Sequence, residues 1–219
     1  MSYPIHVEGL VKRYGGTVAL DGVDLRVPAG SVAGVLGSAG SGKTTLIRVL
    51  SGLTGPDAGR VAVRRAGVLL LDEPTAGLGP HDRDRRWDQI RRTAGDGTAV
   101  LLTTRLPEEA GQLADRMIAL DRGRVVASGR AGELRRRTGG RILQVRATVA
   151  ADGAAVAAIL HEMTGTVPAR DDRTGLLSVP AGDPMLMSAL VRRLDAADIP
   201  VDELGLRLPS LDEVLRSLR

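Results

Sequence analysis

The run Gly37-Ser38-Ala39-Gly40-Ser41-Gly42-Lys43-Thr44 fits the spacing G-x-x-x-x-G-K-[ST]. Glycines so placed let the backbone wrap with its N–H groups facing an anion. The loop then feeds a helix N-terminus, whose partial positive charge favours the same anion. In such a loop Lys43 reaches the β- and γ-phosphates of a nucleoside triphosphate, and the Thr44 hydroxyl takes Mg²⁺. From position 43 to position 72, only 29 residues on, the chain reaches Val68-Leu69-Leu70-Leu71-Asp72-Glu73-Pro74, an apolar strand ending in two carboxylates. Asp72 sits where a carboxylate holds Mg²⁺ directly or through water, and Glu73 where a general base meets an attacking water. A glycine run alone is also read as a plain turn, and paired acids as a solvated turn. The strand before the glycines, the helix after them and the carboxylate strand downstream outweigh both readings.

Tyr14 follows a strand and precedes Gly15-Gly16. Its spacing fits equally a ring that stacks on a purine and a core tyrosine at a strand end. His6, His81 and His161 share no metal-ligand spacing, and the absence of Cys excludes disulfides and thiolate metal sites. A reducing cytoplasm fits that composition. The net charge of +4 comes from arginines scattered among acids, as in His81-Asp82-Arg83-Asp84-Arg85-Arg86. The aromatics are Tyr3, Tyr14 and Trp87, too few for a base-stacking platform, so no nucleic-acid partner is expected. No apolar run approaches the ~20 residues of a membrane span, and the N-terminus reads as neither basic nor apolar, unlike a signal peptide.

The elements that must position these groups follow from hydrophobic period and punctuation. Strands are predicted at 5–11, 18–27, 31–36, 60–63, 67–71, 98–103, 117–120 and 125–127. Strand 67–71 is expected to be buried on both faces. Helices are predicted at 44–53, 81–93, 107–114 and 131–137, and Asp121-Arg122-Gly123 reads as a hairpin turn. Thr138-Gly139-Gly140 marks a boundary between domains 1–137 and 138–219. The second domain is read as strand 141–149, helix 153–163, strands 165–169 and 174–179, helix 183–197 and strand 199–208. That is the split-βαβ, ferredoxin-like order. A last helix, 210–218, opens on the capping box Ser210-Leu211-Asp212-Glu213.

With these residues in place, the chain resembles the ATP-binding subunit of an ABC transporter. Gly37 to Thr45 resembles the Walker A motif, Val68 to Glu73 Walker B, and Tyr14 the aromatic A-loop. Thr75 to Pro80 is similar to the D-loop, and Thr103-Thr104-Arg105 falls at the H-loop. Arg105 to Ala110 and Pro209 to Val214 narrow the likeness to the daunorubicin-resistance type of drug exporter. The resemblance implies ATP and Mg²⁺ as cofactors. It implies a nucleotide site of Tyr14, Gly37, Ser38, Ala39, Gly40, Ser41, Gly42, Lys43, Thr44, Thr45 and Asp72, with Glu73 catalytic. Its expected partners are a membrane permease subunit and an intact ABC ATPase subunit, on the inner face of the cell membrane.

The departures are as informative. In the family a long segment with the Q-loop, helical subdomain and signature separates the two Walker motifs. Here Val63-Arg64-Arg65-Ala66-Gly67-Val68 joins the flanks. The D-loop Asp is Gly79, and the H-loop His is Arg105. So few residues cannot make a parallel crossover, which needs a dozen or more, so strand 60–63 must lie outside the parallel sheet or pair differently. The expected fold is therefore an α/β P-loop core of ABC type with an antiparallel edge and no helical subdomain, plus a small α+β domain. Three readings stay open: a subunit whose hydrolysis needs a partner's signature, an ATP-binding pseudo-ATPase that regulates a partner, and an internally deleted relic.

Overall fold

The computed structural model describes residues 3–64, 66–137, 141–183, 185–209 and 213–214. It divides into two units, the first running to Leu134 and the second spanning Arg135–Val214. That division falls slightly before the Thr138-Gly139-Gly140 boundary.

In the first unit, β1 (Ile5–Tyr14), β2 (Thr17–Val27), β3 (Val32–Leu36), α1 (Lys43–Leu50), β4 (Ala58–Val63) and β5 (Val68–Asp72) come first. They are followed by α2 (Pro80–Gly95), β6 (Ala99–Thr104), α3 (Pro107–Leu113), β7 (Arg116–Asp121) and β8 (Arg124–Gly129), and then by α4 (Ala131–Arg137), in which the division falls. The strands form two sheets. One is antiparallel, in the order β2-β1-β4; the other has the order β5-β6-β3-β7-β8. Within the second sheet β5, β6, β3 and β7 run parallel and β8 returns antiparallel to β7. Strand β4 pairs with β1, with Val61 opposite Val7.

The two faces of β3 and β6 read directly from their alternation. Ala33, Val35, Ala99 and Leu101 join Leu46, Val49 and Leu50 of α1 and the inner residues of β1 and β2 in one core. Val32, Val100 and Leu102 point the other way, onto Trp87, Ile90 and Ala94 of α2 and Leu113 of α3. Helix α1 is thus held between the two sheets, which fixes the loop that precedes it.

Three expectations need correction. Helix α1 stops at Leu50 rather than Leu53, because Ser51 caps it and Leu53 N–H turns back to Arg48 C=O at 2.9 Å. Strand 165–169 contracts to Ala169–Arg170, since Gly165 takes a left-handed conformation that closes the preceding helix. Strand β5 is not buried on both faces: Val68 to Leu71 are half-buried. It is an edge strand whose sole ladder partner among the described residues is β6.

The second unit contains β9 (Arg141–Ala147), α5 (Gly153–Thr164), β10 (Ala169–Arg170), β11 (Leu177–Ala181), α6 (Leu186–Ala196) and β12 (Val201–Arg207). Its sheet order is β10-β11-β9-β12, every neighbour antiparallel. Leu143, Val145, Leu177 and Val179 pack on Val156 and Leu160 of α5 and Leu190 and Leu194 of α6. Arg207 and Glu213 close a two-pronged ion pair, with both nitrogen–oxygen distances 2.7 Å. That pairing raises the Arg207 pKa above its ordinary value. The proposed last helix, 210–218, lies outside the described residues apart from 213 and 214.

Candidate functional site

Strand β3 is buried at every position and delivers the chain into the glycine loop at a fixed point under the sheet. Gly37 N–H bonds to Thr104 C=O at 3.3 Å, which ties the loop to the end of β6. Gly40 and Gly42 hold φ of 77° and 107°, a region that side chains with a Cβ rarely enter. At Gly42 a Cβ would also meet the Ala19 carbonyl oxygen at 2.6 Å. The loop therefore lies against β2 at van der Waals limits. Gly123 N–H, in the turn between β7 and β8, donates to Ser41 C=O at 2.9 Å and secures the other side. The Ser41 hydroxyl is buried and has no hydrogen-bond partner among the described residues.

Lys43 opens α1 with its side chain 4% exposed. Its Nζ donates to the carbonyls of Gly37 and Ser38, both at 2.9 Å, so the ammonium lies inside the loop that precedes it. Burial pushes its pKa below the ordinary lysine value; Glu73 opposes that shift and the nearby Arg105 cation adds to it. Thr44 and Thr45 follow in the first helical turn, Thr44 exposed.

The register of β5 on β6 places Asp72 beside Thr103. The Thr103 hydroxyl donates to Asp72 Oδ1 and accepts from Glu73 N–H at 3.2 Å. Glu73 N–H also reaches Thr103 C=O at 3.0 Å. Two successive acids are thereby fixed by one buried threonine. Glu73 takes φ 48°, a left-handed conformation that is costly for a residue with a long side chain. Its Oε1 accepts from Arg105 Nε at 2.7 Å and lies 3.7 Å from Lys43 Nζ.

These groups line a cleft of about 440 Å³. Ala39, Gly40, Gly42, Lys43, Thr44, Thr45 and Glu73 are brought together there, as the motif spacing requires. Gly37, Ser38, Ser41 and Asp72 stand behind that lining: the first two bind Lys43, Ser41 holds the hairpin turn, and Asp72 is held by Thr103. Tyr14 is not a lining residue. It is 46% exposed at the end of β1, with Lys12 Nζ 5.5 Å from its ring centre, which rules out the core-tyrosine reading. The resemblance places Thr103 and Arg105 at the H-loop without counting them in the nucleotide site, and the sequence reading missed Arg122 and the Thr17–Ala19 end of β2. The Asp-Arg-Gly turn was a signal for Arg122, since Arg122 and Gly123 both hold positive φ as a tight hairpin demands.

The donor set suits a hard cation shared with phosphates. Among the described residues no group of three or more His, Cys, Asp or Glu side chains is placed to hold a metal ion. One hydroxyl and one carboxylate, Thr44 and Asp72, match the way Mg²⁺ is held when phosphates complete its octahedron. No helix among the described residues is long and apolar enough to cross a membrane.

Comparison with known proteins agrees with this geometry. A model of the ABC transporter family matches residues 20–67, which take in most of β2, then β3, the glycine loop, α1 and β4. A daunorubicin resistance ATP-binding protein, DrrA3, of Streptomyces coeruleorubidus is 38% identical, over 98% of this chain and 95% of its own length. That alignment extends over 304 positions, more than the 219 residues present here. The daunorubicin/doxorubicin resistance ATP-binding protein DrrA of Streptomyces peucetius is 31% identical over 98% of this chain and 92% of its own. Among solved structures, an ATP-binding subunit of an ABC transporter superposes with TM-score 0.58 at 18% identity, over 63% of this chain and 94% of that one. An ATP-binding cassette in its ADP conformation gives 0.57 at 17%, over 61% and 93%. These two show the α/β cassette fold.

Proposed function

The chain belongs to the daunorubicin-resistance type of ABC transporter ATP-binding subunits, and on that premise we propose that it binds Mg-ATP in the cleft above α1 and works beside a permease subunit. The observation that carries the reading is Lys43: a buried ammonium at a helix N-terminus, enclosed by its own loop and facing Glu73. A buried cation of this kind stabilises nothing by itself, since desolvation costs more than two carbonyl contacts return. Glu73 is shared with Arg105, and a phosphate oxyanion supplies further counter-charge, together with backbone N–H donors at the α1 terminus.

In the bound complex Lys43 and the loop amides hold phosphate oxygens, and Thr44 and Asp72 hold Mg²⁺, which neutralises charge on the phosphates. Thr103 fixes the Asp72 carboxylate. Glu73 accepts the proton of a water aligned on the terminal phosphate. Tyr14, on the exposed end of β1, is the aromatic available to the purine.

Hydrolysis by this chain needs a donor from outside. The link of residues 64–67 from β4 to β5 is too short to hold a subdomain, and the relatives' longer alignment fits a segment absent here. We read the absent segment as the helical subdomain with its signature, and an intact ATPase subunit as the partner that supplies it. The second unit, with order β10-β11-β9-β12, is read as a ferredoxin-like accessory domain. The chain sits peripherally at the cytoplasmic face of the membrane, where ATP is found. The test is Mg-ATP binding by the full chain and its loss in Lys43→Ala. With a signature-bearing partner, phosphate release that Glu73→Gln abolishes is expected; release insensitive to Glu73→Gln overturns the hydrolytic part.

A further inference from the structure

The hairpin turn between β7 and β8 is pinned from two sides. Gly123 N–H donates to Ser41 C=O of the glycine loop at 2.9 Å, and Gly123 C=O accepts from Asp21 N–H of β2 at 2.8 Å. Arg124 adds a third tie, its Nη2 lying 2.6 Å from Asp21 Oδ2. Arg122, held at the tip by these contacts, extends onto the lining of the nucleotide cleft. Its side chain is 94% exposed, and its ion pair, from Nε to Asp121 Oδ2, spans 4.0 Å. That is beyond hydrogen-bond range, so the guanidinium presents its fork of five donors to the cleft. The turn itself does not call for an arginine. Arg122 and Gly123 hold φ of 46° and 79°, the left-handed pair of a two-residue hairpin loop. Asparagine or glycine suits the first of those places, and a long side chain is disfavoured there.

We propose that Arg122 is a second phosphate anchor of the cleft and holds the inner phosphates, those that a nucleoside triphosphate and a diphosphate share. The inference rests on the nucleotide-binding reading above and adds to it a residue from outside the glycine motif. The cleft has two walls. Glu73 and Arg105, beyond the ends of β5 and β6, bound one of them. Thr17 to Ala19 of β2 and Arg122 bound the other. The turn is bonded to the loop at Ser41, beside Gly42, where an added Cβ would stand 3.5 Å from Gly123 Cα. Arg122 is therefore anchored to the middle of the glycine loop, whose N–H groups cradle the inner phosphates. It is not anchored to the end of the cleft that Glu73 marks. An exposed guanidinium attracts an anion without the desolvation that burial imposes on Lys43. Its field acts through water, so its effect is moderate and falls as salt is added.

Isothermal titration of the full chain with Mg-ATP and Mg-ADP, at low and at high salt, tests the proposal. The variants are Arg122→Asn, Arg122→Lys and Arg122→Glu. Arg122→Asn removes the charge and installs a residue that the turn prefers. It is expected to weaken ATP and ADP alike, by about three- to fivefold at low salt, with the difference closing at high salt. Arg122→Lys should keep most of the affinity, and Arg122→Glu should weaken both nucleotides further than Arg122→Asn. The unliganded melting temperature of Arg122→Asn should equal or exceed that of wild type, which a merely structural role in the loop would not allow. Affinities unchanged in Arg122→Asn, a loss confined to ATP, a loss indifferent to salt, or a loss accompanied by a lower melting temperature each overturn the proposal and leave nucleotide binding intact. A wild type that binds neither nucleotide overturns both readings together.

Discussion

Glu109 is the most deeply buried acid in the described chain, 1% exposed in the first turn of α3. One oxygen, Oε1, accepts from the Thr75 hydroxyl at 2.7 Å and from the Trp87 indole N–H at 3.3 Å. Glu109→Ala strands a buried hydroxyl and a buried indole donor. Hydrogen bonds to a charged group are worth about 1.5–3 kcal/mol each, and the longer of the two falls at the low end. We therefore expect a destabilisation of about 3–5 kcal/mol. Glu109→Gln keeps the accepting oxygen and nearly the same volume, so its cost should stay under about 1.5 kcal/mol. Trp87 is the sole tryptophan of the chain. Its fluorescence during urea unfolding reports this core directly, with the shift in midpoint giving the free energy at constant slope. Two results would refute the reasoning: Glu109→Ala within about 0.5 kcal/mol of wild type, or Glu109→Gln as damaging as Glu109→Ala. The consequence reaches the cleft, because Thr75 belongs to the turn that follows Glu73 and its anchor helps fix that carboxylate.

Further expectations concern the loop and its lysine. Gly40→Ala and Gly42→Ala should separate cleanly: Gly40 has open space around it, so only its backbone conformation resists, at about 1–2 kcal/mol. Gly42→Ala adds contact with the Ala19 carbonyl and the Leu20 side chain, and should lose more stability and the ATP-induced shift; equal effects in thermal melts would contradict the packing described. Because burial lowers the Lys43 pKa, the folded chain releases that proton below 10.5, before the unfolded chain does. Between the lowered value and 10.5 the unfolded state binds more protons, so the stability contribution of this lysine rises with pH. ATP affinity should fall in the same window as the cation is lost, and an affinity flat from neutral pH to the alkaline end would rule out an ion pair between Lys43 and phosphate.

The sequence alone made much of this molecule legible, for identifiable reasons. The β3–loop–α1 unit follows from an apolar run, fixed glycines and one helical face, Leu46, Val49 and Leu50, all local signals. The antiparallel pairing of β4 follows from a connection too short for a crossover. What stayed hidden depends on sheet order and register. Strand β5 is apolar throughout, yet its exposure is set by the edge position it takes, which no local pattern encodes. Glu73 meets Arg105 because β5 lies on β6 with Asp72 beside Thr103, a contact across some thirty residues of chain. Glu109 follows another acid, Glu108, and nothing local marks it for burial; its partner Trp87 comes from α2. Arg122 reaches the cleft only because Gly123 bonds to Ser41.

The central claim is that the short core still forms a nucleotide site around Lys43. The most direct test is a thermal melt of the purified chain with and without Mg-ATP, beside Lys43→Ala. A ligand that binds only the folded state adds about 2.7 kcal/mol at a hundredfold excess over its dissociation constant. For a unit of this size that corresponds to a rise of roughly 5–10 °C. The account predicts a cooperative transition that Mg-ATP raises in wild type and leaves unmoved in Lys43→Ala. A wild-type melt indifferent to ATP, or one without a cooperative transition, would contradict it.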